Sequence, residues 1–507
     1  MCIKSALLRL DLCIKIALLW FNLCINLFNF RLDLCIIWQK GKTMLKRKVQ
    51  KLLDEWLKGK NALLVDGARQ VGKSFSIRQF AKNNFSDFVE LNLRTSPDLI
   101  PVLNSSKTSA DLLLRLKSLS PHPLKKGSLF FIDEIQEAKD CDLITLSKSL
   151  VEEGSYRYIF SGSLLGVTLN NINSYPVGYL DEIKMYPLDF EEFLWAFQKD
   201  DETISYLRNC FFERKPVDNF IHERLIKILE IYVLVGGMPE AVNEFLKSED
   251  LKASSLVQKA IVTGYEQDIK NHVNQMTVGG KKEGLALKLS SIFEQIPEQI
   301  NSKDKRFKIK SVISNRSQSQ EVEDDFNWLT KADVAIPVFN VSEPTNPLTI
   351  NVNRRLLKLF SSDVGLLSYQ LLPTGVMKAI LSNSENVNYG AVYENFVAEE
   401  LHSHGFNNLY YYSNKKFGEL DFIINGPSGI MPIEIKSGKD YKRHVALDNL
   451  LKEKNYGIKE GFVFSKSNFK KEGNIVYYPL YLLDFLRNEP SDYINTKLDL
   501  SSLMGKD

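Results

Sequence analysis

Cysteine is scarce in most of this 507-residue sequence, and its few copies are unevenly placed. The six cysteines are Cys2, Cys13, Cys24, Cys35, Cys141 and Cys210. The first four recur at one spacing in residues 1–43, which leaves two isolated cysteines in residues 44–507. Two scattered cysteines support neither a disulfide framework nor a cysteine-based zinc cluster, and they are typical of a reducing cytosol. We therefore expect a cytoplasmic protein.

Long apolar runs and an excess of one charge are also missing. The longest uncharged run, from Ile16 to Phe30, is shorter than the roughly 20 residues that a membrane-spanning helix needs. No small-residue cleavage site of a signal peptide follows it. The formal net charge is only +3, so the whole molecule has no field that demands nucleic acid or an anionic membrane. We expect no membrane contact, and any contact with DNA must be local.

Residues 1–43 contain a repeat that differs from the rest of the chain. CIKSALLRLDL, CIKIALLWFNL and CINLFNFRLDL share most of their positions, and the pattern stops before Met44. We interpret residues 1–43 as a non-native leader translated from upstream repeat DNA. In this interpretation the working start is Met44, which opens the amphipathic helix MLKRKVQKLLDEWLKGK.

A phosphate-binding loop is the most specific motif. GARQVGKS follows the apolar strand Ala62–Val65 and precedes a helical pattern, which is the context that a P-loop requires. Its glycines let the backbone wrap phosphates, Lys73 can reach the β and γ oxygens, and the Ser74 hydroxyl can hold Mg²⁺. The predicted nucleotide-binding residues are Gly67, Ala68, Arg69, Gln70, Val71, Gly72, Lys73 and Ser74.

Two further strands end in polar residues that suit the same chemistry. The apolar strand Leu129–Ile132 is followed by Asp133 and Glu134. Asp133 would assist Mg²⁺ and Glu134 would orient the attacking water, because phosphoryl transfer depends mainly on positioning and charge stabilisation. The alternative is that these acids only cap the next helix. The strand in YRYIFSGSLLG, residues 156–166, ends in Ser161 and Ser163, candidates for a γ-phosphate sensor, although turns often contain serine.

Strands and helices alternate from residue 44 to residue 200. With the strands VELNL (89–93) and DEIKMYPL (181–188), five strands alternate with helical segments, which predicts a three-layer α/β core. GARQVGKS, LFFIDEIQEA, FSGSLLG, MYPLDFEEFLWA and YVLVGGMPEAV follow one another as in prokaryotic AAA-type ATPases that carry a C-terminal domain of unknown function. The chain resembles this family from about Leu45 to its C-terminal region. The resemblance implies ATP and Mg²⁺ as ligands and allows a homo-oligomer.

One position departs from that family. Many of its members have Gly-Arg before the Pro-Leu segment, whereas Tyr179 stands where the arginine would be. We therefore assign no arginine finger. Residues 201–280 have a helical pattern interrupted at Gly236, and we interpret them as a helical lid and connector.

Residues 281–372 predict a winged-helix-like region, with helices followed by a short hairpin. This region contains the most basic window of the chain, with Lys303, Lys305, Arg306, Lys308, Lys310 and Arg316. Lys305, Arg306 and Lys308 are candidate DNA contacts, because such side chains bind phosphates without sequence choice. A protein-interaction surface is an equal alternative, since Asp304 and the nearby EVEDD run dilute the positive field.

Residues 385–490 have an order of acids that resembles the PD-(D/E)xK nuclease fold. A helix carries Glu394, a strand carries Asp421, and a second strand carries Glu434 and Lys436. In that fold two acids from adjacent strands hold a divalent metal and the lysine polarises water or the scissile phosphate. Two carboxylates on a cation can lower the pKa of bound water. An inactive remnant that is used only for binding is the alternative.

The histidines offer little evidence of a metal site. The sequence has six, and only His402 and His404 are close together. We expect this pair to lie at the solvated end of a helix. The sequence thus predicts Mg²⁺-dependent ATP hydrolysis that is coupled to double-stranded DNA or to a partner protein. The alternative is a nucleotide-gated switch with little turnover and an inactive nuclease-like domain.

Overall fold

The computed structural model describes most of residues 44–507. The described residues are 44–106, 108–138, 143–163, 175–276, 283–302, 305–306, 328–372, 377, 381, 390–426, 429–438 and 441–488. Residues 1–43, which were interpreted as a leader, lie outside the described residues. The candidate DNA contact Lys308 also lies outside them, and so do three further residues of the basic window, Lys303, Lys310 and Arg316.

Helices and strands alternate up to β5. A run of helices follows, and then the strands and helices of a second sheet. The helices are α1 Val49–Leu57, α2 Lys73–Asn84, α3 Leu99–Asn104, α4 Ser109–Ser118, α5 Leu143–Glu153, α6 Phe190–Ala196, α7 Asp201–Phe212, α8 Asn219–Val235, α9 Pro239–Ser248, α10 Leu251–Met276, α11 Glu283–Asn301, α12 Val364–Leu371, α13 Gly390–Ser403 and α14 Val445–Lys452. The strands are β1 Ala62–Asp66, β2 Phe88–Asn92, β3 Leu129–Asp133, β4 Arg157–Ser161, β5 Leu180–Lys184, β6 Ala335–Val341, β7 Val352–Ser361, β8 Leu409–Asn414, β9 Gly418–Gly426, β10 Gly429–Lys436, β11 Gly461–Ser465, β12 Lys470–Glu472 and β13 Ile475–Pro479.

The first sheet is parallel and has the order β2-β3-β4-β1-β5. The five strands predicted from the sequence are all present, and β4 lies between β1 and β3 as expected. β1 and β3 are apolar along their length because helices cover both faces of the sheet. All five strands point the same way, so the P-loop after β1 and the acids after β3 lie at one edge.

Local signals account for several of the helices around this sheet. The buried residues of α1, Val49, Leu53 and Trp56, recur at helical spacing and form one apolar stripe. The Asp189 side chain caps α6 by accepting a hydrogen bond from the Glu192 amide at 3.0 Å. Such caps explain why helices begin where polar residues interrupt the apolar pattern.

Helices α8 and α9 are joined by Gly236, Gly237 and Met238, which lie within the motif YVLVGGMPEAV. A Cβ atom on Gly237 would stand 2.1 Å from the Leu188 carbonyl oxygen, so only glycine fits there. The Gly237 amide donates to the Asp363 carboxylate at 2.7 Å, and the Leu188 amide donates to the Gly237 carbonyl at 2.7 Å. This segment therefore connects the first sheet to α12. The end of α8 is buried all round, so α8 forms part of the core.

The second sheet is mixed and has the order β12-β13-β11-β10-β9-β8-β6-β7. β6 and β7 form an antiparallel hairpin within residues 281–372, the region predicted to be winged-helix-like, and β6 also pairs in parallel with β8. The hairpin is therefore part of the C-terminal sheet, which corrects the predicted separation of residues 281–372 from residues 385–490. Strand pairing over this distance along the chain leaves no local sequence signal.

One apolar core runs from the first sheet to the second. It includes Leu63 and Phe131 of the first sheet, Tyr232 of α8, and Phe396 and Ile433 of the C-terminal region. Two smaller clusters cover the outer faces of the two sheets. In the part of the chain that the structure describes, no helix is long and apolar enough to cross a membrane.

Candidate functional site

The P-loop backbone has the shape that phosphate binding requires. Gly67 has φ 144° and Gly72 has φ 95°, and Gln70 also has a positive φ of 67°. A Cβ atom on Gly67 would lie 2.1 Å from the Met185 carbonyl oxygen, so a side chain at this position is excluded. Gly72 then caps α2, so that the N-terminus of a regular helix follows the loop.

Lys73 lies inside this loop. Its Nζ atom donates to the carbonyl oxygens of Gly67 at 2.7 Å and of Ala68 at 2.8 Å. Burial lowers the pKa of Lys73, and the nearby carboxylates of Glu134 and Asp66 oppose that change. A buried ammonium with hydrogen bonds that can be exchanged is suited to a polyanionic ligand.

Asp133, the last residue of β3, accepts hydrogen bonds from polar side chains at the carboxyl edge of the sheet. Its Oδ2 atom accepts from Ser74 Oγ at 2.7 Å and from Asn92 Nδ2 at 2.9 Å. Its Oδ1 atom accepts from the Ser161 hydroxyl. The predicted metal pair, Ser74 and Asp133, is therefore in direct contact, and these are oxygen ligands of the kind that Mg²⁺ prefers.

Glu134 follows in the left-handed conformation, with φ 56°. This turn is uncommon for a residue with a side chain. The Gln136 amide donates to its carboxylate and also contacts Ser163 Oγ at 3.4 Å. Arg94 Nη1 lies 3.8 Å from Glu134 Oε1. The residues predicted around Asp133 and Glu134 are thus brought together at one edge of the sheet.

Sequence analysis missed three polar residues of this edge, Asn92, Arg94 and Gln136. Asn92 is the last residue of β2, which is adjacent to β3, so its position at a carboxyl end was a usable signal. Arg94 lies in a turn and Gln136 in the short 3₁₀ helix Ile135–Glu137, and neither segment has a periodic sequence pattern. Tyr179 precedes β5 at the opposite edge, since Leu180 pairs with Ala62 at the beginning of β1.

The P-loop residue Arg69 and the β5 residue Lys184 contact residues that follow the first domain in sequence. Arg69 Nη1 contacts both carboxylate oxygens of Asp268 in α10, at 2.6 and 2.7 Å. The Tyr265 hydroxyl donates to the Arg69 carbonyl at 3.3 Å. Lys184 at the end of β5 pairs with Asp333 at 2.6 Å. Burial raises the pKa of Asp333 to about 6, although Lys184 opposes the change.

The three acids and the lysine predicted in the C-terminal region also form one cluster. The register of β9 and β10 puts Phe422 opposite Ile433, so Asp421 lies beside Glu434, and Asp421 Oδ2 accepts from the Ile435 amide at 2.8 Å. Lys436 Nζ contacts Glu434 Oε1 at 2.8 Å. Burial and the neighbouring Asp421 raise the pKa of Glu434 to about 8.

Glu394 belongs to the same cluster, and its partner is a residue that was predicted to contact DNA. Burial and Asp421 raise the pKa of Glu394 to about 7, while Lys305 opposes the change. Lys305, a predicted DNA contact, forms an ion pair with Glu394. The Lys305 side chain is 28% exposed, so its ammonium pairs with a buried acid while part of the side chain still reaches solvent. Arg306 is described next to it and also interacts with another group of the protein.

Known protein families match three segments of the chain. Residues 59–194 match the AAA domain family, residues 226–375 match the domain of unknown function DUF8612, and residues 389–483 match the domain of unknown function DUF4143. No curated protein matches the chain.

Several solved structures are similar over part of their length. The Walker-type ATPase PABY2304 of Pyrococcus abyssi is 15% identical, with 64% of this chain and 96% of that chain covered and a TM-score of 0.39. The STAND protein PH0952 of Pyrococcus horikoshii, which has a tetratricopeptide repeat sensor, is 11% identical, with 72% and 46% covered and a TM-score of 0.25. The RuvB Holliday junction branch migration motor of Thermotoga maritima is 14% identical, with 59% and 89% covered and a TM-score of 0.24.

The family matches and the geometry agree on the first of the three segments. The P-loop, the parallel sheet and the acids after β3 all fall within residues 59–194. The chain therefore carries an AAA-type P-loop ATPase domain, followed by two domains of unknown function.

Proposed function

We propose that this protein binds ATP and hydrolyses it with Mg²⁺, and that its nucleotide state acts on a partner through the two C-terminal domains. The observation that carries the proposal is the convergence of Lys73, Ser74, Asp133 and Glu134 at one edge of the first sheet. Ser74 and Asp133 are within 2.7 Å of each other, as residues that share one cation would be.

Each residue has a role that follows from its position. The Gly67–Ser74 backbone binds phosphate oxygens, and Lys73 exchanges its contacts with loop carbonyls for contacts with the β and γ phosphates. Ser74 and Asp133 would hold Mg²⁺, which supplies charge neutralisation to the phosphates. Glu134 would orient the attacking water, and Ser161 or Ser163 would sense the γ-phosphate. This sensor role was predicted from the sequence, and it remains part of the proposal.

The link from nucleotide to partner runs through the Arg69 ion pair. Arg69 is a P-loop residue, whereas its partner Asp268 lies in α10, within the segment 226–375 that matches the first domain of unknown function. The pair is partly buried, with Asp268 12% exposed, so it is more strongly coupled than a solvated surface pair. A change in the P-loop on binding ATP would therefore be passed to α10.

Replacement of Asp268 by asparagine tests this link. We expect ATP affinity to change by less than about tenfold, while the ATP-dependent change in hydrogen exchange of α10 disappears. The matched control is Glu90→Gln, which breaks the Arg78–Glu90 ion pair of the same domain without touching α10. An α10 response to ATP that Asp268→Asn leaves unchanged would mean that this ion pair does not transmit the nucleotide state.

The C-terminal cluster suggests DNA cleavage as the partner reaction. Asp421, Glu434 and Lys436 lie together as in a PD-(D/E)xK site, with Glu394 beside them. We expect Mn²⁺- or Mg²⁺-dependent nicking of supercoiled DNA by the wild type, reduced to background in Asp421→Ala and in Lys436→Ala. Asp448→Ala, on the exposed side of α14, is the control that should keep the activity. Nicking that persists in both cluster variants would remove this proposal.

A nucleotide-gated switch is the second candidate, and one observation favours it. Glu394 and Glu434 are each already paired with a lysine, Lys305 and Lys436, so a binding-only role of the C-terminal domain needs no metal. ATP turnover with and without double-stranded DNA separates the two candidates. Turnover that DNA raises favours the DNA-coupled ATPase, whereas tight binding without turnover favours the switch and a protein partner. The family resemblance also allows a homo-oligomer. Measuring the oligomeric state with and without ATP would test this.

A further inference from the structure

Acidic side chains of the DUF4143 segment pair with lysines of the preceding DUF8612 segment. Lys305 forms an ion pair with Glu394 of α13, and Lys358 Nζ of β7 lies 2.7 Å from Glu419 Oε1 of β9. The Lys358 side chain is 1% exposed and the Glu394 side chain is 5% exposed. The two domains of unknown function therefore meet through buried charge pairs.

A second buried cluster shows the same neutralisation between the AAA domain and the end of α13. His404 Nε2 lies 3.5 Å from both Asp189 Oδ2 and Asp484 Oδ1. We predicted that His404 would be solvated, and this was wrong, because its side chain is 0% exposed. Lys48 contacts Asp189, and Arg487 Nη2 lies 3.4 Å from Asp484 Oδ1. These acids already have cations of the chain as partners, so no added ion is needed there.

The Lys305 ammonium faces more than one acid of the C-terminal domain. It donates a hydrogen bond to Glu394 Oε1. Burial lowers the pKa of Lys305, but Glu394 and Asp421 oppose this more strongly, so the net change is upward. Both carboxylates therefore hold the ammonium in its charged form. Because the Lys305 side chain is 28% exposed, the ammonium also has a route from the acids to solvent.

Two glutamates of the acid cluster keep an oxygen that no group of the described residues satisfies. Glu394 Oε2 and Glu434 Oε2 are buried and have no hydrogen-bond partner there. Their Oε1 atoms are held by Lys305 and by Lys436. Buried carboxylate oxygens without a partner are costly, and a divalent cation with a preference for oxygen can satisfy them. The residue types thus fit such an ion.

The arrangement of these acids does not yet fit an ion. Asp421 Oδ2 accepts from the Ile435 amide at 2.8 Å, and each glutamate contacts its own lysine. In the part of the chain that the structure describes, no three acids of this cluster offer ligand atoms within 4.8 Å of one another. The cluster in this structure is therefore arranged around two ammonium groups.

We propose that Lys305 is a tethered cation that competes with a divalent metal ion for the cluster of Glu394, Asp421 and Glu434. While its ammonium pairs with Glu394, the cluster is partly neutralised and an ion of like charge is repelled. Departure of the ammonium to solvent frees Glu394 for the ion. This inference rests on the proposed nuclease role for the identity of the cluster, and it makes Lys305 the residue that restrains that role.

Binding of Mn²⁺ alone to the full chain, without nucleotide or DNA, tests this proposal. Free Mn²⁺ is counted from its electron paramagnetic resonance signal. Lys305→Gln removes the charge, while its amide can still donate to Glu394. We expect this variant to bind one Mn²⁺ more tightly than the wild type by more than about tenfold, because a like charge beside the ion is gone. Lys305→Arg retains the charge and should bind as weakly as the wild type.

Two further variants locate the gained site. Adding Asp421→Asn to Lys305→Gln should abolish the gain, which separates the cluster from the cation position beside the P-loop. Arg214→Gln removes an exposed ion pair with Glu460 elsewhere and should leave Mn²⁺ affinity unchanged. Equal affinity in Lys305→Gln and the wild type, or a gain that survives Asp421→Asn, would overturn the proposal. Tighter Mn²⁺ binding without any nicking would reject the nuclease role and keep Lys305 as the competitor.

A measurement on the wild type guards against a variant that fails to fold. Acetic anhydride, followed by mass spectrometry, should acetylate Lys305 more slowly than the exposed Lys416. Millimolar Mn²⁺ should accelerate the acetylation of Lys305, because the ion displaces its ammonium from Glu394, and should leave the Lys416 rate unchanged. A Lys305 rate that does not respond to Mn²⁺ would overturn the competition.

Discussion

Replacing Glu134 by glutamine is expected to lower kcat for ATP hydrolysis by about 100-fold or more while ATP binding is kept. Glu134 is placed to orient the attacking water, and loss of a positioned base typically costs about 10²–10⁴-fold in rate. Glutamine retains the size of the side chain, so the Gln136 contact and the turn at Glu134 need not change. The measurement is steady-state turnover beside the affinity for a fluorescent ATP analogue, with and without double-stranded DNA.

Glu137→Gln is the matched control for that experiment. Glu137 lies in the same segment and contacts the same Arg94, at 3.5 Å, yet it lies outside the Asp133 contacts. Its turnover should stay close to that of the wild type. Equal turnover in the two variants would show that Glu134 is not the group that orients water, and a wild type that binds ATP without any turnover would favour the switch.

Replacing Asp363 by alanine should lower the free energy of unfolding by about 2–4 kcal/mol at neutral pH. The Asp363 carboxylate is fully buried and accepts from the Leu366 amide at 2.8 Å and the Gly237 amide at 2.7 Å. Alanine leaves both buried amides without an acceptor and removes the cap of α12. Denaturant unfolding of the full chain measures the loss.

The loss should depend on pH in a defined direction. Burial raises the pKa of Asp363 to about 6, with the backbone amides opposing the change, from the unfolded value of 3.8. The folded state therefore binds the proton more tightly, so the stability that Asp363 contributes is greatest below the unfolded pKa and falls as pH rises through about 6. The destabilisation by Asp363→Ala should be about 2 kcal/mol larger at pH 4.5 than at pH 7.5.

Asp200 provides a comparison for this prediction. It caps α7 through the Thr203 amide at 2.8 Å, but it is exposed to solvent. Water can replace its cap, so Asp200→Ala should cause a much smaller loss than Asp363→Ala. Equal losses would mean that the burial of Asp363 does not contribute to its effect.

Much of the first domain could be predicted because its signals are local. The P-loop requires Gly67 and Gly72 at fixed spacing, and each buried strand is a short apolar run that ends in a polar residue. In a parallel sheet such ends meet at one edge, so the meeting of Ser74 with Asp133 followed from the pattern alone. Arg94, in a turn, and Gln136, in a three-residue 3₁₀ helix, carry no periodic signal, and their approach to Glu134 depends on the turn at that residue.

The C-terminal region shows where this kind of prediction ends. The helix and strands that carry Glu394, Asp421 and Glu434 were recognised from their acids, and the structure brings these acids together. The hairpin of β6 and β7 was assigned to a separate wing, since nothing in its own residues indicates that β6 pairs with β8. Lys305 was assigned to a DNA surface because its neighbours in sequence are basic, whereas its neighbour in space is Glu394.

By itself the sequence determined the phosphate-binding loop, the five parallel strands and the polar residues at their carboxyl ends, because each depends on residues that are close along the chain. Only the tertiary structure decided that Arg69 meets Asp268, and that Asp189 and Asp484 surround the buried His404. These contacts join residues far apart in sequence. They are set by how one apolar core packs α13 and α10 against the first domain, which no local pattern encodes.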